Sequence, residues 1–298
     1  MKVTIGAKHF VALGTTIFSL FLVVRWIVEP ATQQQVCPIV QPDSDTFFAK
    51  QENLFSTNCV NQGPLNWTLF VKRVLRTHKI WKNVRVEKRD TDGFGDFSAD
   101  FKRLLPKIFE TSRSDVIRII ELGSFKGRST IEMAKQCKDL ASEGDKECQI
   151  IAVDTWLASP EHYEAERNDI SDLFATFLSN IKHEDLTDVV FPFRLSSTAA
   201  AHVFHCYHIS ADVVFVDSNH EYDTVINELL MYYPLLRSHG LFIGDDFHIR
   251  TWPGVVQAVE EFSQKMNRPY EVVRNTWSLF KDDEPESYFW DRQTLSTL

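Results

Sequence analysis

The sequence predicts an α/β fold with a mostly parallel sheet, because apolar runs alternate with helical patterns from Val116 onward. The run Val213–Val216 is apolar at every position, as expected for a central strand that is buried on both faces. The last two runs, Tyr270–Val273 and Trp277–Phe280, lie too close together for a crossover and should pair antiparallel. We therefore expect right-handed βα units followed by one antiparallel strand pair.

The individual elements follow from apolar spacing. Apolar residues at helical spacing between Ile170 and Ile181 predict an amphipathic helix, and the helix after the first strand should begin at Ser129. Another helix is expected from Val225 to Leu236 despite Pro234, with Gly240 ending it. The main strands are predicted at residues 116–122, 149–154, 190–195, 211–217 and 241–245.

The first thirty residues differ from the rest of the chain. Phe10–Val28 is almost entirely apolar and long enough to cross a bilayer, with Arg25 near one end. A cleavable signal peptide is the alternative, but the apolar core is long for one and no clear cleavage site follows. Lys2 and Lys8 favour a cytosolic N-terminus. These features predict a single-pass type II membrane protein of the Golgi or ER with a lumenal domain, and a cytosol-facing domain is the alternative.

The chain divides into a cytosolic tail (1–9), a transmembrane signal anchor (10–28), a linker (29–64), a helical cap (65–115) and the α/β domain (116–298). Asn66 begins an N-glycosylation pattern. The basic run 72–89 contains one acid, Glu87, and is either a solvated surface or a patch for an acidic substrate or a membrane. The net charge of −9 argues against nucleic-acid binding.

The five cysteines show no metal-binding spacing. Cys37 with Cys59, or Cys137 with Cys148, could form a disulfide in an oxidising compartment. Free buried thiols are the alternative.

The turn after the first strand is the most informative feature. The strand ends in Glu121, glycines follow four apart at Gly123 and Gly127, and Ser129 opens a helical pattern. Glycine lets the backbone approach a ligand closely, and the N–H groups of the following helix point to the same place. Phe125 stands where a dinucleotide-binding turn needs another glycine. The spacing resembles motif I of the class I methyltransferases that depend on S-adenosylmethionine (SAM).

This resemblance implies a SAM site around the turn. Asp154 closes the second strand and could accept both ribose hydroxyls, or cap the next turn. Glu121 could bind the amino-acid end of SAM or orient the loop, and Ser129 suits the methionyl carboxylate. Ser197, beyond the third strand, could line the adenine pocket or be an ordinary helix cap. The expected cofactor-binding residues are Glu121, Gly123, Ser124, Gly127, Ser129, Asp154 and Ser197.

A cluster of acids follows two later strands. Asp217 ends the fourth strand, and Asp245 and Asp246 end the fifth, which should be its neighbour. Three such carboxylates repel one another unless a cation or protons relieve them, and their hard oxygens suit Mg²⁺, Mn²⁺ or Ca²⁺. The alternative is that Asp217 caps a helix and the other two form a polar turn.

His220 lies three residues beyond Asp217 and could take a proton from a bound hydroxyl, although a lone histidine is more often a surface residue. The motifs from Val116 to Lys281 are similar to metal-dependent class I methyltransferases, a group that includes macrocin-type sugar O-methyltransferases and cephalosporin-hydroxylase-like proteins. The matching residues are Asp217, His220, Tyr222, Asp245 and Asp246. The resemblance implies a Rossmann-like sheet of seven strands, three aspartates that hold a divalent ion, most simply Mg²⁺, and His220 as the base.

The resulting hypothesis is a membrane-anchored, metal-dependent SAM O-methyltransferase that acts on a hydroxyl of a sugar, glycan or other diol. One alternative is a non-catalytic module that binds SAM or metal and scaffolds partners. Another is a metal-dependent hydroxylase or hydrolase on the same fold.

Overall fold

A seven-stranded sheet forms the centre of the computed structural model, which describes residues 63–91, 95–159, 162–163 and 170–288. The strands are β1 (Val116–Leu122), β2 (Glu147–Asp154), β3 (Val190–Arg194), β4 (Ala211–Val216), β5 (Leu236–Gly244), β6 (Glu271–Val273) and β7 (Thr276–Phe280). Their order across the sheet is β3-β2-β1-β4-β5-β7-β6. Strands β1 to β5 are parallel to one another, and β7 is antiparallel to both β5 and β6. The predicted mixed sheet is confirmed.

Helices cover both faces of this sheet. They are α1 (Trp67–Phe70), α2 (Thr77–Ile80), α3 (Ser98–Thr111), α4 (Arg128–Glu143), α5 (Leu173–His183), α6 (Ser197–Tyr207), α7 (Tyr222–Tyr232) and α8 (Pro253–Met266). Because the chain order reverses after β3, right-handed crossovers put α4 and α5 on one face and α6 and α7 on the other. Helix α3 packs against α4, and α8 packs against α7.

The core lies on both sides of β1 and β4. Ile119 in β1 is fully buried and pairs with Ile150 on one side and Val213 on the other. Strand β4 is buried along its whole length, as its apolar sequence predicts. Phe215 packs edge-on against Phe97 at 5.2 Å between ring centroids. Burial of one such side chain contributes about 1.5–3 kcal/mol, so these contacts fix the sheet beneath its carboxyl edge.

One helix is shorter than predicted. The helix expected to reach Leu236 ends at Tyr232, a 3₁₀ turn follows at Tyr233–Leu235, and β5 already begins at Leu236. Pro234 lacks the N–H that the helix would need, so the α-helix stops before it. Gly240 therefore lies inside β5 and does not terminate a helix.

Helix α1 attaches on the α6 side of the sheet. Asn66 caps α1, where its side chain accepts a hydrogen bond from Leu69 N at 2.9 Å. Phe70 is fully buried against Phe193 and Phe204, with ring centroids at 6.1 and 5.7 Å. The domain boundaries and glycosylation at Asn66 stay predictions.

The segment after these helices runs along α5. Lys182 Nζ donates to Val84 O at 2.8 Å, and Asn180 bonds both the N–H and the carbonyl of Asp90. The buried Lys126 pairs with Asp90 at 2.7 Å. The basic side chains of residues 72–89 are exposed.

The predicted topology needs a correction. Among the residues that the structure describes, no helix is both long enough and apolar enough to cross a bilayer. The prediction of a single-pass type II membrane protein of the Golgi or ER, with a lumenal domain, is therefore corrected: the described part of the chain contains no helix that could anchor it. The predicted anchor itself, residues 10–28, lies outside the described residues, as do Cys37 and Cys59.

A disulfide joins α4 to the following strand. Cys137 and Cys148 are bonded with their Cα atoms 5.9 Å apart and close a short loop, 11 positions apart in sequence. This is one of the two pairings that the sequence suggested. Both residues are buried, and the bond ties the middle of α4 to the start of β2.

We expect the double variant Cys137→Ala/Cys148→Ala to lose about 2–3 kcal/mol of unfolding free energy, because the crosslink no longer limits the unfolded chain. Urea unfolding followed by circular dichroism measures this loss. Any further loss when reductant is added to the variant would come from Cys206, which is also disulfide-bonded. An unchanged free energy of unfolding in the variant would contradict a stabilising role.

Candidate active site

The carboxyl edge of the sheet surrounds one cavity of about 640 Å³. This volume lies in the range of small-molecule sites. The cavity is lined by residues that follow β1 to β5, which is where open α/β sheets bind ligands. Glu121 and Gly127 are the two predicted residues outside its lining. The predicted residues in the lining are Gly123, Ser124, Ser129, Asp154, Ser197, Asp217, His220, Asp245 and Asp246.

The glycine turn packs against the end of β4. Gly123 has φ +85°, and a Cβ atom there would lie 1.9 Å from the carbonyl oxygen of Asp217. Glycine is thus required here because two backbone segments meet, in addition to any close approach of a ligand. The sequence pattern did not reveal this contact. Gly127 precedes α4 with φ +87°, and its side-chain position faces Phe177 at 3.0 Å.

Glu121 is fully buried behind this turn. Its carboxyl accepts hydrogen bonds from the hydroxyls of Ser124 and Ser129, each at 2.7 Å, and from Thr130 at 2.5 Å. Burial raises the pKa of Glu121 to about 7. These bonds correspond to the loop-orienting role considered for Glu121. The contribution of Thr130 was not foreseen.

Asp154 holds the same turn from β2. Its Oδ2 accepts hydrogen bonds from the N–H groups of Ser124 and Phe125, at 2.9 and 2.8 Å, and its Oδ1 accepts one from Trp156 N at 2.6 Å. The Trp156 indole donates in turn to Phe125 O at 2.8 Å. A carboxylate has about four acceptor positions, so roughly one remains for a ligand hydroxyl.

The three predicted aspartates come together on the neighbouring strands β4 and β5. One carboxylate oxygen from each of Asp217, Asp245 and Asp246 lies within 4.8 Å of the others. Burial, and then Asp245 and Asp246, raise the pKa of Asp217 well above its ordinary value. Burial and then Asp246 raise the pKa of Asp245 to about 7. The cluster thus concentrates negative charge that a cation would stabilise.

His220 lies beside this cluster. Its Nε2 is 2.8 Å from Asp246 Oδ2, and its ring stacks on Trp252 with centroids 3.7 Å apart and planes inclined by 20°. Gly254, the second residue of α8, lies so close to this loop that a Cβ atom would be 2.6 Å from His220 O. Asp246 itself has φ +61°, a backbone conformation that aspartate tolerates better than most residues. Trp252 was not foreseen, because its role depends on the loop after β5.

A second buried carboxyl lies in the cavity wall, on α7. Glu228 in α7 is 1% exposed and lines the cavity. It accepts a hydrogen bond from the Ser218 hydroxyl, and the Ser197 hydroxyl is another partner. Burial raises the pKa of Glu228 to about 7. Glu228 stands between the apolar residues Val225 and Leu229 of the same helix, and this position could have indicated a buried carboxyl from the sequence.

The central part of the chain is similar to known proteins. Residues 120–247 match a family model described as a methyltransferase domain. An uncharacterized protein, R132, of Acanthamoeba polyphaga mimivirus is 22% identical over 160 residues. That match covers 53% of this chain and 64% of the relative, so the chain spans less than two thirds of that protein. The family match confirms the predicted resemblance to methyltransferases.

Solved structures give weaker similarities. An O-methyltransferase from Bacillus cereus in complex with SAH has a TM-score of 0.42 and 16% identity, and the match covers 80% of this chain and 100% of that chain. The calicheamicin methyltransferase CalS11 has a TM-score of 0.45 and 14% identity, and the match covers 85% of this chain and 99% of that chain.

We expect Gly123→Ala to lower the free energy of unfolding by about 3 kcal/mol or more, because the new Cβ meets the Asp217 carbonyl in a strained φ region. Urea unfolding measures the change. Gly144→Ala is the matched control, since its nearest neighbour would lie 3.7 Å from the added Cβ. Equal stability of the two variants would show that the turn tolerates a side chain.

Proposed function

We propose that the protein is a divalent-metal-dependent SAM O-methyltransferase that acts on a sugar or another acceptor with adjacent hydroxyls. The match of residues 120–247 to a methyltransferase family model supports this proposal. One observation carries the proposal: the three aspartates and His220 line the same cavity as the glycine turn. A cofactor at the turn and an acceptor at the aspartates would share one continuous space.

The donor set of the aspartate cluster fits a hard divalent cation. Asp217, Asp245 and Asp246 offer carboxylate oxygens, which Mg²⁺, Mn²⁺ and Ca²⁺ prefer, whereas zinc sites use mainly nitrogen and sulfur. Burial raises the pKa values of Asp217 and Asp245, and the neighbouring negative charges raise them further. A cation held there would supply positive charge that favours the anionic form of an acceptor hydroxyl.

The cofactor would occupy the other end of the cavity. The N–H groups at the start of α4 point toward it and suit the methionyl carboxylate of SAM. Asp154 retains about one acceptor position for a ribose hydroxyl, which is fewer than the two contacts that the sequence suggested. SAM would supply an electrophilic methyl group whose leaving group needs no proton.

The remaining work of the site is to orient the acceptor and remove its proton. His220 lies beside the cluster, and Asp246 both orients its imidazole and stabilises the protonated form, as carboxylates do in other acid–base pairs. Trp252 restrains the ring from one face by stacking. Adjacent hydroxyls on a sugar ring or a catechol suit this arrangement, because two oxygens can approach the aspartates while one faces His220. Fixed alignment of the two reactants would supply much of the rate acceleration over the uncatalysed reaction.

We expect Asp217→Asn to abolish methyl transfer while SAM affinity stays within about threefold, because the change removes charge from the cluster and not from the turn. Transfer of labelled methyl groups to a panel of sugars and catechols, with Mg²⁺ or with EDTA, measures activity, and calorimetry measures SAM binding. Asp223→Asn, an exposed aspartate in α7, is the matched control and should stay active. Full activity in EDTA would contradict metal dependence.

His220→Ala should lower kcat by about 10²–10⁴-fold, the usual contribution of a general base, with little change in SAM affinity. Steady-state kinetics with the best acceptor from the panel gives this ratio. His183→Ala, at an exposed position in α5, serves as the control. A kcat within threefold of wild type would assign proton removal to another group.

A further inference from the structure

A buried carboxylate outside the cavity lining holds the turn between β6 and β7 (residues 274–275). Asp100 in α3 is 2% exposed and does not line the cavity. Its Oδ2 accepts a hydrogen bond from Arg274 Nη2 at 2.7 Å and another from Thr276 Oγ1 at 3.3 Å. Arg274 lies in the turn with φ +59°, and Thr276 begins β7. Asp100 therefore fixes the turn to α3 on both sides of Asn275.

The β6–β7 turn in its turn holds the loop after β5. Phe247 N donates a hydrogen bond to Asn275 O at 2.8 Å. On the other side of Asp246, Asp245 N donates to Val216 O at 3.2 Å. Asp246 thus lies between two anchored N–H groups, one held by β4 and the other by the β6–β7 turn.

The position of Asp246 affects both parts of the proposed chemistry. Asp246 offers one carboxylate oxygen to the aspartate cluster, and its Oδ2 is 2.8 Å from His220 Nε2. Its φ of +61° is uncommon for a residue other than glycine, and such a conformation persists only where surrounding contacts hold it. The bond from Phe247 N to Asn275 O is one of these contacts, directly after Asp246 in the chain.

We infer that Asp100 and Arg274 are positioning residues for the proposed metal site, which fix Asp246 through the backbone of Asn275 and Phe247. Neither residue lines the cavity, so both act through the loop and not on the cation. Residues that hold metal ligands in place contribute about 10- to 100-fold to metal affinity. This inference rests on the proposed function, since it assumes that the aspartates bind a cation.

An effect of charge alone is the competing explanation. Burial and Asp246 are the larger causes that raise the pKa of Asp245, and the charge of Asp100 raises it further. If charge alone acted, loss of Asp100 would weaken cation binding, whereas loss of Arg274 would strengthen it. If the two residues act by positioning, both losses weaken binding, because each breaks the same link. The sign of the Arg274 effect therefore separates the two explanations.

Binding of Mn²⁺ alone to the full chain tests the inference, with free Mn²⁺ measured by electron paramagnetic resonance. Arg274→Met and Asp100→Asn should each raise the Mn²⁺ dissociation constant by about tenfold or more. SAM affinity, measured by calorimetry, should stay within about threefold, because the glycine turn is not part of this link. The Arg274 side chain is 56% exposed, so its variant should fold, and urea unfolding checks this.

Arg103→Met is the matched control, because it removes the same charge beside Asp100 without touching the turn. Arg103 lies on α3 with its Nη2 4.0 Å from Asp100 Oδ1, and its Nη1 bonds Glu271 at 2.7 Å. Such a surface pair contributes little, so the Mn²⁺ dissociation constant should stay within about threefold of wild type. A loss in this control equal to that in Arg274→Met would overturn the specific role of the turn.

The two proposals fail in different ways. Wild type that does not bind Mn²⁺ would overturn the metal site and this inference with it. Wild type that binds Mn²⁺, together with an Arg274→Met variant that binds it equally or more tightly, would overturn only the positioning role. If Asp100→Asn does not fold, Arg274→Met alone decides.

Discussion

The contact between Gly123 and the Asp217 carbonyl oxygen determines how the two ends of the site are arranged. It brings the turn after β1 against the end of β4, so close that no side chain fits between them. The proposed cofactor turn and the first aspartate of the cluster therefore belong to one packed unit. Their separation depends on strand pairing between β1 and β4, where Leu122 pairs with Val216, and not on the flexibility of a loop.

A second constraint is the number of carboxyl groups that this packing buries or partly buries. Glu121, Asp217, Asp245 and Glu228 all have raised pKa values, and burial is the largest cause for each. Glu121 and Glu228 are stabilised by hydroxyl donors, whereas Asp217 and Asp245 lie mainly against other carboxylates. The hydroxyl-bonded acids suit structural roles, and the crowded ones suit a cation. This division is the physical reason for treating the four groups differently.

The sequence predicted the sheet and the convergence of the aspartates, because strand ends and apolar runs are local features. The prediction was wrong at Pro234, where the apolar pattern continues as if the helix did. Proline has no N–H to donate to the helix, so α7 ends before it. The partners Trp156 and Trp252 could not be predicted, since each reaches the site from a loop whose path depends on tertiary packing. Glu228 could have been found, because an acid between core-facing apolar residues of a helix needs a polar partner.

The bonds from Asp154 have a consequence for the thermodynamics of recognition. Its carboxylate already holds the N–H groups of Ser124 and Phe125, and the Trp156 indole fixes the carbonyl of Phe125. The turn is therefore preorganised, and its conformational entropy is lost when the chain folds and not when a ligand arrives. A ligand that enters this end of the cavity meets a rigid template, so discrimination between ligands depends on fit and not on loop closure.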